Sequence, residues 1–298
     1  MQIHNVAIDD TFAEAFDMKV TRLVLTAGDR QWVSEAAAAM TGFGTSVIAC
    51  GVEIAVAEEL SAEQTPDGRP GVAILAFAVS GKELEKQIPR RAGQCVLTCP
   101  TTALFSGMEG EKQIPLGNHL RFYGDGYQLS KSLRGRRYWR IPVMDGEFLC
   151  EASVGRGEGV GGGNFLMIGT TIEVVSRACR AAARAIAALP QVITPFAGGA
   201  TRSGSKVGSK YASMIASTNE AFCPSLRGVV ASQLSAQEHA VLEIVIDGLT
   251  SDDVAAAMRV GIHAACEEAG GQGLLRITAG NYGGKLGRHH FHLQQVLA

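Results

Sequence analysis

Apolar positions recur along the chain with two periods, and the switches between them outline the elements. Apolar runs bounded by turn residues predict strands at 20–27 (VTRLVLTA), near 45–50, at 72–79 (VAILAFAV) and around Cys95. Trp32, Val33, Ala36, Ala37 and Met40 fall at helical spacing and predict a helix over 29–41, with a second over 82–92. The turn signal TPDGRP at 65–70 precedes the third strand, so the first half reads βαββαβ. The second half repeats the order: strand 164–168, helix 170–189, strands 192–196 and 240–247, helix 251–268, strand 274–279. Ile172, Val175, Cys179, Ala183 and Ile186 form one helical stripe, Arg177, Arg180 and Arg184 another, and Thr250 with Asp253 resembles a capping box. Two split βαβ units of ferredoxin-like type follow, an α+β fold. Between them a strand-rich insert has candidate strands at 119–123 and 138–143 around the basic turn 131–137. The lobe boundary is placed near Met144, giving 1–144 and 145–298.

One position breaks the pattern. In the run 241–247 (VLEIVID), Leu242, Ile244 and Ile246 share one strand face, and Glu243 stands between Val241 and Val245 on the other. Burial disfavours a charged carboxylate and raises its pKa, which makes a glutamate a proton donor and acceptor near neutrality. The same pattern also fits a half-exposed strand whose outer face carries an acid. The corresponding strand of the first half, 72–79, contains no acid, so the fold's template does not demand one.

Composition narrows the classes. The chain has 298 residues, 46% hydrophobic and only 19% charged, enough for one large or two medium cores. With 27 basic and 29 acidic residues the net charge is -2, so no global field draws it to nucleic acid or an anionic membrane, and any anionic ligand needs a local cluster. Seven scattered cysteines suit reduced thiols in a cytosolic enzyme, and no second pair joins Cys95 and Cys99 to complete a zinc site. Asp9, Asp10, Glu14 and Asp17 interrupt any secretory signal, and no apolar run approaches the ~18 residues of a membrane span. A cytoplasmic protein is expected.

Several motifs tempt. GEGVGG at 157–162 matches G-x-G-x-x-G, but a strand follows it where a helix should open, so its glycines suit a tight crossing against backbone or a flat ligand. GATRSGSK at 199–206 misses the P-loop because Ser205 holds the lysine position, and Ser203 with Lys206 forms S-x-x-K without its helical turn. This loop places Arg202, Lys206 and Lys210 among small residues, which suits phosphate or carboxylate capture or a solvated loop. AGNYGGKLG at 279–287 sets Asn281, Tyr282 and Lys285 on a glycine-rich turn after a strand end, where ligands commonly sit; a structural turn is the rival. His289, His290 and His292 lack a carboxylate or thiol to complete a metal site, and no serine occupies a nucleophile elbow. Chemistry without metal or covalent nucleophile is expected.

Read together, seven ordered blocks resemble the formylmethanofuran–tetrahydromethanopterin formyltransferase family over nearly the whole chain: IDDTFAEAFDMKV (8–20), TPDGRPG (65–71), QCVLTCPTTA (94–103), GGNF (162–165), NEAFCPS (219–225), EIVIDGL (243–249) and AGNYGGKLG. The resemblance implies two ferredoxin-like lobes, a homo-oligomer (a tetramer) that builds its site at subunit contacts, and formyl transfer between methanofuran and N5 of tetrahydromethanopterin as co-substrates. A buried second-lobe glutamate that carries the proton corresponds to Glu243. GGNF and the 279–287 block contribute Asn164, Phe165, Asn281 and Tyr282 as substrate-binding candidates. At TPFAGG (194–199), relatives are expected to carry proline in place of Ala197. The alanine- and arginine-rich character is similar to bacterial members that act within a formyltransferase/hydrolase complex, passing the formyl group to methanofuran for a sister subunit to hydrolyse to formate.

Transfer between two nitrogens requires an attacking amine, a tetrahedral intermediate, a proton acceptor and a stabilised oxyanion. Glu243 is assigned the proton, the backbone amides of the glycine-rich turns the oxyanion, and Lys206, Lys210 and Lys285 the anionic tails. Two alternatives stand beside this: a non-catalytic cofactor-binding or assembly subunit, and a nicotinamide enzyme using the 157–162 turn.

Overall fold

The strand order predicted from the sequence is built twice. The computed structural model describes residues 1–204 and 206–298, so Ser205, which stands where a P-loop needs lysine, lies outside the described residues. Its contacts separate Met18–Glu158 from a second unit of Met1–Asp17 with Gly159–Ala298. The chain passes between them within the long strands Phe12–Thr26 and Val154–Gly169.

In the Met18–Glu158 unit, the wholly buried strand Gly71–Ala78 pairs antiparallel with Glu53–Leu60 on one side and with residues 19–26 on the other. Residues 23–26 pair in turn with Ala103–Ser106. The spatial order second, third, first, fourth is that of a split βαβ unit. Helices Arg30–Thr41 and Gly81–Arg91 cover one face, burying Val33, Met40, Leu84 and Ile88 against Leu23, Leu25 and Ile74. Asp29 and Ser80 cap these helices by accepting the amides of Trp32 (2.9 Å) and Glu83 (3.2 Å). The insert extends the sheet as a meander: Gly146–Glu151 runs parallel to Ala103–Ser106, then Arg136–Val143 and Leu129–Leu133 follow antiparallel.

Three expected strands are something else. The run near 45–50 is a short helix, Val47–Cys50, capped by Ser46 and ended by Gly51 at φ +74°, and the strand follows at Glu53–Leu60. Around Cys95 the chain is still helical, as the π-type turn Ala92–Val96 closed by Thr102 Oγ1 donating to the Val96 carbonyl (2.6 Å); the strand comes later, at Ala103–Ser106. Residues 119–123 fall in the helical segments Gly117–Leu120 and Arg121–Gly124, which bury Leu120 while Phe122 and Tyr123 face solvent. Short apolar runs carry too few residues to separate the two periods.

In the second unit the order recurs as Val192–Ile193, Ala240–Gly248, Val154–Gly169 and Leu274–Thr278, all antiparallel, with Val6–Ile8 added parallel at the far edge. Helices Ile172–Ile186 and Ser251–Ala269 cover one face, packing Val175, Cys179, Ile262 and Cys266 against Phe165, Met167, Ile244 and Ile246. Thr250 and Asp253 form the reciprocal capping box, at 3.1 and 3.0 Å. No helix among the described residues is long and apolar enough to cross a membrane.

The glycines of GEGVGG lie inside the Val154–Gly169 strand, where the register shifts between Gly161 and Gly163. Gly162 has φ +93° and donates its amide to Asp247 Oδ1 (3.0 Å), so this is a β-bulge and no phosphate-binding turn. A Cβ on Gly163 would stand 2.2 Å from Val254 Cγ1 on the covering helix. Gly163→Ala should therefore cost roughly 1–3 kcal/mol in denaturant unfolding; wild-type stability would show that the helix can move away.

Candidate functional site

The face of the second unit's sheet that points away from the two helices carries the candidate chemistry. Alternation sends Phe165 and Ile244 to the helices and leaves Asn164, Leu166 and Glu243 on the opposite face, where Leu166 is paired with both Glu243 and Thr278. Glu243 is only 6% exposed, while its strand neighbours Val241 and Val245 are half-buried. Its backbone is fixed from both sides: the 197–204 loop returns so that Thr201 N–H donates to the Glu243 carbonyl and Glu243 N–H to the Thr201 carbonyl, each at 2.9 Å. Its carboxylate Oε2 is buried and has no hydrogen-bond partner among the described residues. Burial pushes the carboxyl up to about 7. The acid can hold or release a proton near neutrality.

Two adjoining cavities touch Glu243. The larger, about 190 Å³, is lined by Asn164, Lys206, Asn219, Asn281 and Tyr282. The smaller, about 30 Å³, adds Thr201, Arg202 and Ser203 and shares Leu166, Gly204 and Asn219 with the first. The structure thus gathers Glu243, Asn164, Lys206, Asn281 and Tyr282 around one space. Phe165 is not there: it is fully buried in the helix-covered core, as its neighbour's outward direction requires. Lys210 and Lys285 are exposed and line neither cavity. Lys206 is ion-paired with Glu220.

Asn164 and Glu14 shape the wall opposite. Asn164 accepts the Gly280 amide on Oδ1 (2.6 Å) and donates Nδ2 to the carbonyls of Gly280 (3.1 Å) and Gly162 (3.0 Å). Glu14, 1% exposed, accepts four backbone amides of the following turn: Tyr282 and Gly284 on Oε2 at 2.7 and 2.8 Å, Leu286 and Gly287 on Oε1 at 2.6 Å each. Burial alone would raise this carboxyl, but the four donors outweigh it and hold it at about 2. The turn closes tightly enough that a Cβ on Gly287 would lie 2.3 Å from the Ala15 carbonyl. Five of this turn's amides, expected to face an oxyanion, are held by Glu14 and Asn164 instead.

The other motifs are structural. Ser203 Oγ meets Thr201 Oγ1 (3.0 Å) while Lys206 turns to Glu220, so S-x-x-K presents no catalytic pair. His289 bridges Ser251 Oγ and Asp17 Oδ1, each at 2.8 Å, whereas His290 and His292 flank the Phe12 ring. Among the described residues no group of three or more His, Cys, Asp or Glu is placed to hold a metal.

Comparison with known proteins identifies the family. The family model described as formylmethanofuran-tetrahydromethanopterin formyltransferase matches residues 1–143, and a second, "FTR, proximal lobe", matches 146–296. A formylmethanofuran–tetrahydromethanopterin formyltransferase from Rhodopirellula baltica is 62% identical, with 100% of this chain and 93% of the relative covered. One subunit of the formyltransferase/hydrolase complex from Methylorubrum extorquens is 50% identical, covering 99% and 97%. The crystal structure of that complex with methylofuran superposes with TM-score 0.97 over 100% of this chain and 99% of the matched chain, at 50% identity. The formyltransferase of Methanosarcina barkeri superposes with TM-score 0.93 at 43% identity, over 99% and 100%. With both halves matched and relatives this close along the full length, the chain belongs to the formylmethanofuran–tetrahydromethanopterin formyltransferase family.

Proposed function

We propose that the chain moves a formyl group between N5 of tetrahydromethanopterin and the amine of methanofuran. The observation that carries this reading is Glu243, a buried carboxyl pushed up to about 7 beside a 190 Å³ cavity. Attack of one amine on the formyl carbon builds a tetrahedral centre and a surplus proton on nitrogen; collapse requires a proton on the other nitrogen. Glu243 takes the first and returns it to the second, and its pKa near ambient pH keeps both transfers close to thermoneutral. Asn164 holds the Gly280 backbone so that Asn281 and Tyr282 face the same space. Lys206, exchanging Glu220 for a substrate carboxylate or phosphate, holds one anionic tail; Lys210 and Lys285, on exposed turns, reach only the outer part of a long one.

The likeness to a component of a formyltransferase/hydrolase complex supports a direction toward methanofuran, in one-carbon oxidation to formate. On the same ground we propose sister subunits for this chain, a homotetramer at its centre and a cytoplasmic location. The purified assembly should transfer formyl from formyl-tetrahydromethanopterin to methanofuran under steady-state conditions. An assembly that binds both compounds and shows no turnover overturns the reading.

A further inference from the structure

A transfer through a tetrahedral centre places negative charge on the former formyl oxygen, and a donor must already stand where that oxygen forms. The 279–287 turn cannot supply it from the amides held by Glu14 and Asn164, and its Gly283 amide is bound to Asn281 Oδ1 (3.1 Å). Lys206 Nζ faces Glu220. Arg202 is exposed and borders only the smaller cavity.

We propose that the Asn219 carboxamide is this donor, a catalytic residue that holds the formyl oxygen across the cavity from Glu243; the assignment rests on the transfer reaction proposed above. Asn219 lines both cavities that touch Glu243. Its main chain is pinned at three points: its amide donates to the Ser203 carbonyl (2.9 Å), and its carbonyl accepts the Phe222 amide (3.1 Å) and Cys223 Sγ (3.4 Å). Gly204, at φ +61°, packs so close that a Cβ there would lie 3.0 Å from Asn219 Cβ. The root of the side chain is thereby fixed from two directions, yet its carboxamide makes no hydrogen bond among the described residues. A half-buried amide, rigidly mounted and without a structural partner, is available to a ligand. Its neutrality also fits the neighbour: a cation in that place would hold Glu243 ionised, whereas an amide stabilises an oxyanion without taking the proton carrier out of its working range.

The test is steady-state transfer by the full assembly carrying Asn219→Ala or the isosteric Asn219→Asp, with KM for both substrates, a pH profile and a melting curve. In Asn219→Ala, loss of one oxyanion donor should lower kcat by ~10²–10³-fold, with KM, the pH midpoint and the melting temperature close to wild type. Asn219→Asp, whose carboxylate repels the oxyanion, should do no better than alanine. Wild-type kcat in Asn219→Ala, or a defect confined to KM, overturns the assignment of Asn219 alone. A wild-type assembly that binds both substrates and turns over neither overturns the transfer reading itself, and the assignment with it.

Discussion

Glu243→Gln should lower formyl transfer by ~10²–10⁴-fold, the usual contribution of a positioned general acid–base group. The substitution keeps the shape of the side chain and removes only its ability to exchange a proton. In the wild type, the rate of transfer should rise with pH through about 7, where the carboxyl ionises, and that step should vanish from the residual activity of the variant. The sign of the step is informative: a rate that falls through the same midpoint would make Glu243 a donor from the outset, and near-normal turnover in the variant would remove it from the chemistry. Stability should move the other way. Because the folded-state pKa is raised from 4.5 to about 7, the native protein binds the proton more tightly than the unfolded chain, so stability falls as pH climbs between those values and the deficit persists above them. The rise from 4.5 to about 7 corresponds to roughly 3 kcal/mol. Urea unfolding above pH ~7 should therefore find Glu243→Gln more stable than wild type, the opposite of its effect on activity.

Glu243 was legible because it violates a local rule: an acid in an apolar strand, absent from the corresponding strand of the other half. The capping box at Thr250 and Asp253 and the helical stripe through Val175 and Cys179 were legible for the same reason, since each depends on residues within two turns. Phe165 shows a local rule not applied far enough. Consecutive strand residues point to opposite faces, so once Asn164 is given to the cavity its neighbour belongs to the core. The short runs near 45–50 and Cys95 could not be separated by period, and the Pro89 and Gly93 punctuation around the second did not stop the helix. Charge counting could not reveal one ion pair, because nothing in GATRSGSK announces that Lys206 meets Glu220 fourteen residues on. The hardest feature was the glycine-rich turn. Its sequence signals flexible backbone amides and a ligand, yet those amides are taken by Glu14, some 270 residues earlier in the chain.

Glu14→Gln should produce the largest structural effect outside the core. A glutamine offers one acceptor oxygen where the carboxylate offers two, so two of the four amides on Tyr282, Gly284, Leu286 and Gly287 lose their partner inside a buried site. Each orphaned donor costs about 1–3 kcal/mol. Linkage gives an independent figure. The folded-state pKa lies near 2 against an ordinary 4.5, so the carboxylate's contribution is complete above about 4.5 and disappears as pH falls through about 2. That depression corresponds to roughly 3 kcal/mol, in line with two lost hydrogen bonds. The consequence reaches the site because the turn held by Glu14 presents Asn281 and Tyr282 to the cavity beside Glu243. A loosened turn should raise KM while leaving the midpoint near 7 in place, since Glu243 sits on a different strand with its own supports. The decisive measurement is the difference in unfolding free energy between wild type and Glu14→Gln as pH is lowered: it should be constant above about 4.5 and shrink toward zero at about 2. A difference that does not change with pH would mean that packing, and not the charge on Glu14, holds the turn.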